Sequence, residues 1–251
     1  MKTLSDINIK SIYVCDSLLR FKNRIMKKFN LNECNLNSSK PSFFFGLYTK
    51  KELEIVKNYN GYVFLIFGGS DLHMIQHLKR KNNISLLFIS KNLFDRYTYY
   101  KLKYKYKYPE IHIYLNLVDE TIFRPISKKL LGKSIYIYDG CKNVDKNKRY
   151  IIYNIETIFN VKSKLPFLNF IHSSDNYIAY EDMPTIYKKC FIGLRLTSGD
   201  GNANTVQEFE AMKIPIIHNQ SNYGIKWYSV DHIIGIIKKY YNYNENNVWN
   251  T

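Results

Sequence analysis

A chain of 251 residues has room for one large or two small domains and a sizeable core. Hydrophobic residues make up 45% of it, no apolar run approaches the ~20 residues of a membrane span, and the N-terminus carries no signal-peptide core, so disordered, membrane-spanning and secreted classes are set aside. The formal charge of +16 at pH 7 favours anionic partners: nucleic acid, an anionic membrane surface, an acidic glycan or a nucleotide.

Cys15, Cys34, Cys141 and Cys190 lie far apart, with no CxxC or Cys/His ligand spacing. This pattern predicts reduced thiols and a cytoplasmic setting. Alternation of short apolar runs with helix-period segments predicts an α/β fold.

In chain order, residues 9–15 read as a strand, after which Asp16 or Ser17 caps a basic helix over 18–29. Leu18, Phe21, Ile25 and Phe29 form its apolar stripe, and Arg20, Lys22, Arg24, Lys27 and Lys28 surround it. That face suits packing on a sheet, and it also suits peripheral contact with an anionic membrane. Residues 30–41 read as a loop, 43–48 as a strand, 49–58 as a helix capped by Thr49, and 62–67 as a buried strand. Gly68, Gly69, Ser70 and Asp71 then open a helix to about residue 79, and a Gly-Gly turn at a strand's carboxyl end makes a candidate ligand loop.

A strand over 84–90 and a helix over 91–101 follow. Tyr104, Tyr106 and Tyr108 alternate with lysines, which reads as an edge strand with one solvated face. The same interleaving also serves single-stranded nucleic acid. Residues 111–117 and 134–138 read as strands, 150–159 as a helix, 167–171 as a strand and 230–241 as a final helix.

The most informative stretch runs from Phe191 to Asn219. Residues 191–196 read as a buried strand, 199–204 as a Gly/Asn-rich turn, 205–213 as a helix and 214–218 as a second strand. Asn204 and Gln207 have the spacing of a capping box. A helix N-terminus fed by such a loop suits an anion, such as a diphosphate. Glu208 lies eight residues after Asp200, so each acid grips a different part of one extended ligand.

Asp200, Glu208 and the following Pro215-Ile216-Ile217 resemble the acidic motif of retaining GT-B glycosyltransferases of the family-four type. Asp replaces that family's usual Glu, and Ile214 its usual Gly. Asn116, Val118, Asp119, Phe123 and Pro125 are similar to the run that closes the family's N-terminal domain. The Gly68 to Asp71 turn is similar to its acceptor-side turn.

The resemblance implies a linker over 127–133 and two Rossmann-like domains, 1–127 and 128–251, with parallel sheets facing a cleft, and it implies a helix over 181–187 before the acidic-motif strand. It also implies transfer of a sugar from a nucleotide-diphosphate sugar to an acceptor hydroxyl on a glycan, lipid-linked molecule or protein. Retention, no metal and no further cofactor follow from the same resemblance.

By this resemblance Glu208 binds the ribose, Asp200 meets the transferred sugar, and Gly201, Asn202, Ala203, Asn204 and Thr205 offer amides to the diphosphate. Gly140, Lys142 and Arg195 complete the donor site, with Cys141 where the family has Arg and with Lys146 or Lys148 as further cations. Gly68, Gly69 and Asp71 lie on the acceptor side. Two alternatives compete: a basic nucleic-acid-binding protein, and a non-catalytic glycosyltransferase-like binding subunit. On the favoured reading no specific nucleic acid is expected.

Overall fold

Short segments of two to five residues, most of them apolar, become the strands of two all-parallel sheets. The computed structural model describes residues 2–78, 82–140, 146–197, 200, 202–219 and 223–246. They fall into two units, Met1–Leu117 and Val118–Thr251.

The first unit contains β1 (Ser11–Val14), α1 (Lys22–Phe29), β2 (Asn32–Glu33), β3 (Ser42–Phe45), α2 (Lys50–Asn58), β4 (Val63–Ile66), β5 (Ile84–Phe88), α3 (Lys91–Tyr104) and β6 (Glu110–His112). Its sheet runs β2-β1-β3-β4-β5-β6. β3 and β5 are buried at every position, as strands covered on both faces must be. The winding reverses between β1 and β3, which makes their carboxyl ends the topological switch point of this sheet. That point is filled by protein: Cys15 and Leu18 press on the backbone of Gly46. Burial pushes the Cys15 thiol up to about 12, so it stays protonated.

Several elements differ from what the sequence predicts. Only 22–29 of the basic segment is α-helical, after a 3-10 turn over Asp16–Phe21. The segment after Gly69 is likewise a 3-10 turn, Ser70–His77. Tyr104 to Tyr108 is not an edge strand. α3 runs to Tyr104, Lys105 turns the chain at φ 54°, and the rings pack on one another, with Tyr104 and Tyr106 stacked at 5.5 Å. Tyr106 and Tyr108 are buried, which covers the faces that bases would need.

The second unit contains β7 (Ser134–Ile137), α4 (Lys146–Ile152), α5 (Ile155–Lys164), β8 (Asn169–His172), α6 (Met183–Lys188), β9 (Cys190–Leu194), α7 (Asn204–Ala211), β10 (Ile216–Ile217) and α8 (Val230–Asn246). The order is β10-β9-β7-β8. Because side chains alternate along a strand, Ile135 and Ile137 enter the core under α5 and α8, while Tyr136 enters the one under α6 and α7. Gly193 has no side chain because the Phe209 ring sits 2.6 Å from where one would begin, which lets α7 lie close on β9.

Residues 118–127 belong with this unit rather than the first. Phe123 is fully buried against Tyr180 and Tyr187, and Tyr180 accepts from the Asp119 amide at 3.1 Å. The helix expected over 150–159 is two helices, broken where Asn154 adopts φ 50°. Among the described residues no helix is long and apolar enough to cross a membrane.

Candidate functional site

The second sheet places its own switch point between β7 and β9, since β7 pairs with β8 on one side and β9 on the other. The residues that leave these two strands are Tyr138, Asp139 and Gly140, and Arg195, Leu196 and Thr197.

Arg195 is the centre of the cluster. Its backbone N–H is fixed by the Ile217 carbonyl at 3.0 Å, continuing the ladder one residue past β9. Its guanidinium lies 3.9 Å from the centroid of the Tyr138 ring. Nε donates to Asp200 at 2.6 Å, and Nη1 donates to the Thr205 hydroxyl at 3.4 Å. Thr197 donates to the same Asp200 oxygen at 3.3 Å. Burial pulls the Arg195 pKa down, but the Asp200 charge, with Tyr138, more than offsets this and holds it above the ordinary value. A cation and an anion thus stand side by side, both mostly buried, at the entrance to α7.

The N-cap of α7 is Ala203, not Asn204, so the expected capping box does not form. Asn204 and Thr205 are the first helical residues, and their amides have no carbonyl four residues back within the helix. Asn202 and Asn204 are half-buried, and Ala203 and Thr205 are buried. Glu208 is buried too, and Tyr187 donates to it at 2.7 Å. Lys142 and Gly201 lie outside the described residues, as do Cys141 and Gly199.

Gly140 sits at φ 95° with the Tyr153 ring 2.7 Å from where a side chain would start. The turn it occupies is organised by Asp139, a residue that no sequence motif marks. Its carboxylate accepts from Arg149 Nη2 at 2.7 Å, His172 Nδ1 at 3.0 Å, the Ser174 hydroxyl at 2.9 Å, and the Ser174 amide and Ser173 hydroxyl at 3.1 Å. Burial pushes its pKa up, yet the hydrogen bonds from His172 and Ser174 and the nearby charges outweigh it and bring it to about 2. His172 Nε2 faces the Lys162 ammonium at 2.9 Å. An ammonium only donates, so Nε2 accepts and the ring proton is on Nδ1, facing Asp139.

His218 closes the other side. Its Nδ1–H donates to the Arg195 carbonyl at 2.9 Å, while Nε2 is buried and has no hydrogen-bond partner among the described residues. Burial lowers its pKa, so the imidazole next to Arg195 is held neutral.

Compared with protein-family models and with curated proteins, the chain matches none. Function has to be read from the geometry. A stacked guanidinium, a paired carboxylate and a helix N-terminus at a sheet's switch point together suit a ligand with an anionic group and neighbouring hydroxyls.

In the first unit, Gly68, Gly69 and Asp71 lie together at the carboxyl end of β4. Asp71 is buried and turned inward, accepting from the amides of Leu47 at 2.9 Å, Gly68 at 3.1 Å and Gly69 at 2.8 Å. Burial raises its pKa above the usual carboxylate value. Its role is to shape the turn.

Proposed function

We propose that the protein is a GT-B type glycosyltransferase that moves a sugar from a nucleotide-diphosphate donor to an acceptor hydroxyl. The observation that carries this reading is the Arg195, Asp200 and Thr205 cluster at the β7/β9 switch point, beside the first amides of α7. The family resemblance assigns the same residues to the donor and its sugar. In this reading Arg195 and the α7 amides stabilise the departing diphosphate, where charge develops during transfer. Asp200 faces the sugar. His218, neutral and bonded to the Arg195 carbonyl, fixes the backbone from which that guanidinium projects.

Glu208 enters as the ribose partner. Because it is buried with one oxygen held by Tyr187, Glu208→Gln retains an acceptor for that hydroxyl and is expected to fold. Donor affinity should fall by roughly 1–3 kcal/mol, the worth of a charge-assisted hydrogen bond. Calorimetry against a urea denaturation curve separates the outcomes. Unchanged affinity with lost stability would make Glu208 a core residue only.

The reading itself is tested by a thermal-shift screen against UDP, GDP, ADP, CMP and dTDP sugar conjugates. A bound donor raises the melting temperature by mass action. Absence of a shift with every conjugate at millimolar concentration rules the donor site out.

A further inference from the structure

The lysine and tyrosine run at the end of α3, which the proposed function does not use, forms a surface of its own. Within α3, Tyr99, Leu102 and Lys103 are three and four residues apart, so they share one face. That face is turned away from the core, where Leu93 and Tyr97 are buried. Leu102 is 77% exposed and Tyr99 62%, and Tyr104 at the helix end is 37% exposed. Lys103 lies over both tyrosine rings, with Nζ 6.0 Å from the Tyr99 centroid and 5.2 Å from the Tyr104 centroid. An aliphatic tip thus stands beside aromatic rings that hold an ammonium over them.

The charge around this tip is of one sign. Residues 91–110 carry six basic side chains and two acidic ones. The acids are engaged locally, Asp95 with Lys91 and Glu110 with Lys101, each at 2.6 Å. Arg96, Lys103, Lys105 and Lys107 are exposed and form no ion pair among the described residues. The surface also has a fixed base. Tyr100, Tyr104 and Tyr106 stack in series, with centroids 6.2 and 5.5 Å apart, and Tyr106 and Tyr108 are buried beneath.

The basic segment over 18–29 differs in two ways. Its apolar stripe is used up on the sheet, since Leu18, Phe21 and Ile25 are buried. It also lies on the other side of the sheet. From β1 to β2 the chain moves one way along the strand order, and from β5 to β6 it moves the opposite way. Right-handed crossovers then put α1 and α3 on opposite faces. A flat anionic surface meets only one of them.

We propose that the Tyr99, Leu102 and Lys103 face of α3, with Lys105 and Lys107, docks on an anionic lipid bilayer. Leu102 enters the acyl boundary, the tyrosines sit at headgroup depth, and the lysines reach lipid phosphates from flexible stems. A single-stranded nucleic acid fits less well. A leucine tip offers a base nothing to stack on, and Lys103 already lies over the Tyr99 and Tyr104 rings. A second copy of the chain would bring the same positive charge against itself. Docking of this kind does not depend on the transferase reading.

Co-sedimentation of the full chain with phosphatidylcholine vesicles, with and without about 30 mol% phosphatidylglycerol, tests the surface. Binding is expected only with the anionic lipid and should fall away in ~0.5 M salt. Leu102→Gln keeps helix propensity and should weaken the partition coefficient about fivefold or more. Lys103→Gln combined with Lys107→Gln should weaken it at least about tenfold. Lys27→Gln combined with Lys28→Gln, the same charge change on α1, should leave it within about twofold, being more than a Debye length from the lipid. Leu102→Trp should tighten binding, because indole favours the membrane interface.

Equal weakening by the two double variants would reduce the effect to net charge and overturn the docking face. Vesicle binding indifferent to both Leu102 variants would do the same, as would no binding at low salt. Capture of a single-stranded oligonucleotide in place of vesicles, lost in the Lys103 and Lys107 variant, would hand the surface to nucleic acid instead. Circular dichroism confirms that these surface variants fold.

Discussion

Asp200→Asn is expected to lower kcat at least ~100-fold, about 3 kcal/mol of barrier, while donor affinity stays level or rises. The two directions follow from one contact. Asp200 is 2.6 Å from Arg195 Nε and partly neutralises it. Removing the carboxylate charge leaves the guanidinium freer to attract a diphosphate in the ground state. On the transferase reading proposed above, the charge facing the developing positive centre on the sugar would then be missing only when the bond breaks, so the loss would fall on turnover.

Asp200→Glu is the finer probe. The added methylene moves the carboxylate by roughly 1.5 Å, more than a contact of 2.6 Å accommodates without a shift of the loop. Initial-rate kinetics with titration calorimetry on both variants give the split. A wild-type rate in Asp200→Asn would remove the acidic-motif assignment and the proposed reaction with it.

Half of the switch-point cluster is legible in the amino-acid sequence. Local chemistry marks Arg195, Asp200 and Thr205, because a strand, a Gly/Asn turn and a helix in series leave polar groups at one place. The other half depends on partners far away along the chain. Tyr138 becomes the platform for Arg195 only because β7 and β9 are neighbours, a pairing across more than fifty residues. Asp139 reads as an ordinary turn residue, since its donors come from α4 and from the end of β8. An aspartate immediately after a buried strand is the one local signal.

The α7 cap departs from expectation for a related reason. Asn204 and Gln207 have the right spacing, but the chain enters the helix one residue earlier, with Ala203 in extended conformation. At Tyr104 to Tyr108 tertiary packing overrides the local pattern. Strict alternation spells a strand, whereas ring-on-ring packing and the left-handed Lys105 make a helix end. The long apolar runs, by contrast, mark nearly every strand correctly, because burial on both faces leaves them few alternatives.

Asp139→Asn is expected to cost about 3 kcal/mol of folding stability at neutral pH, the order found when one partner of a buried ion pair is removed. The wild-type carboxylate is nearly inaccessible and has donors on both oxygens. An asparagine keeps one acceptor oxygen and turns an amide N–H₂ toward Arg149 or His172, which only donate there. The pH dependence has a definite sign. The folded pKa, about 2, lies below the ordinary carboxylate value of 3.8. A depressed pKa contributes stability that is present in full above the unfolded value and lost as pH falls through the folded one.

The shift alone is worth about 2 kcal/mol at neutral pH. Urea denaturation of wild type and variant should therefore show a wide gap from pH 5 to 8 that narrows between pH 4 and 2, because protonation removes the same charge from the wild type. A gap of constant width across that range would mean that the asparagine is destabilising for reasons of shape. The charge of Asp139 would then have no part in holding the β7 turn on which Tyr138 and Gly140 stand.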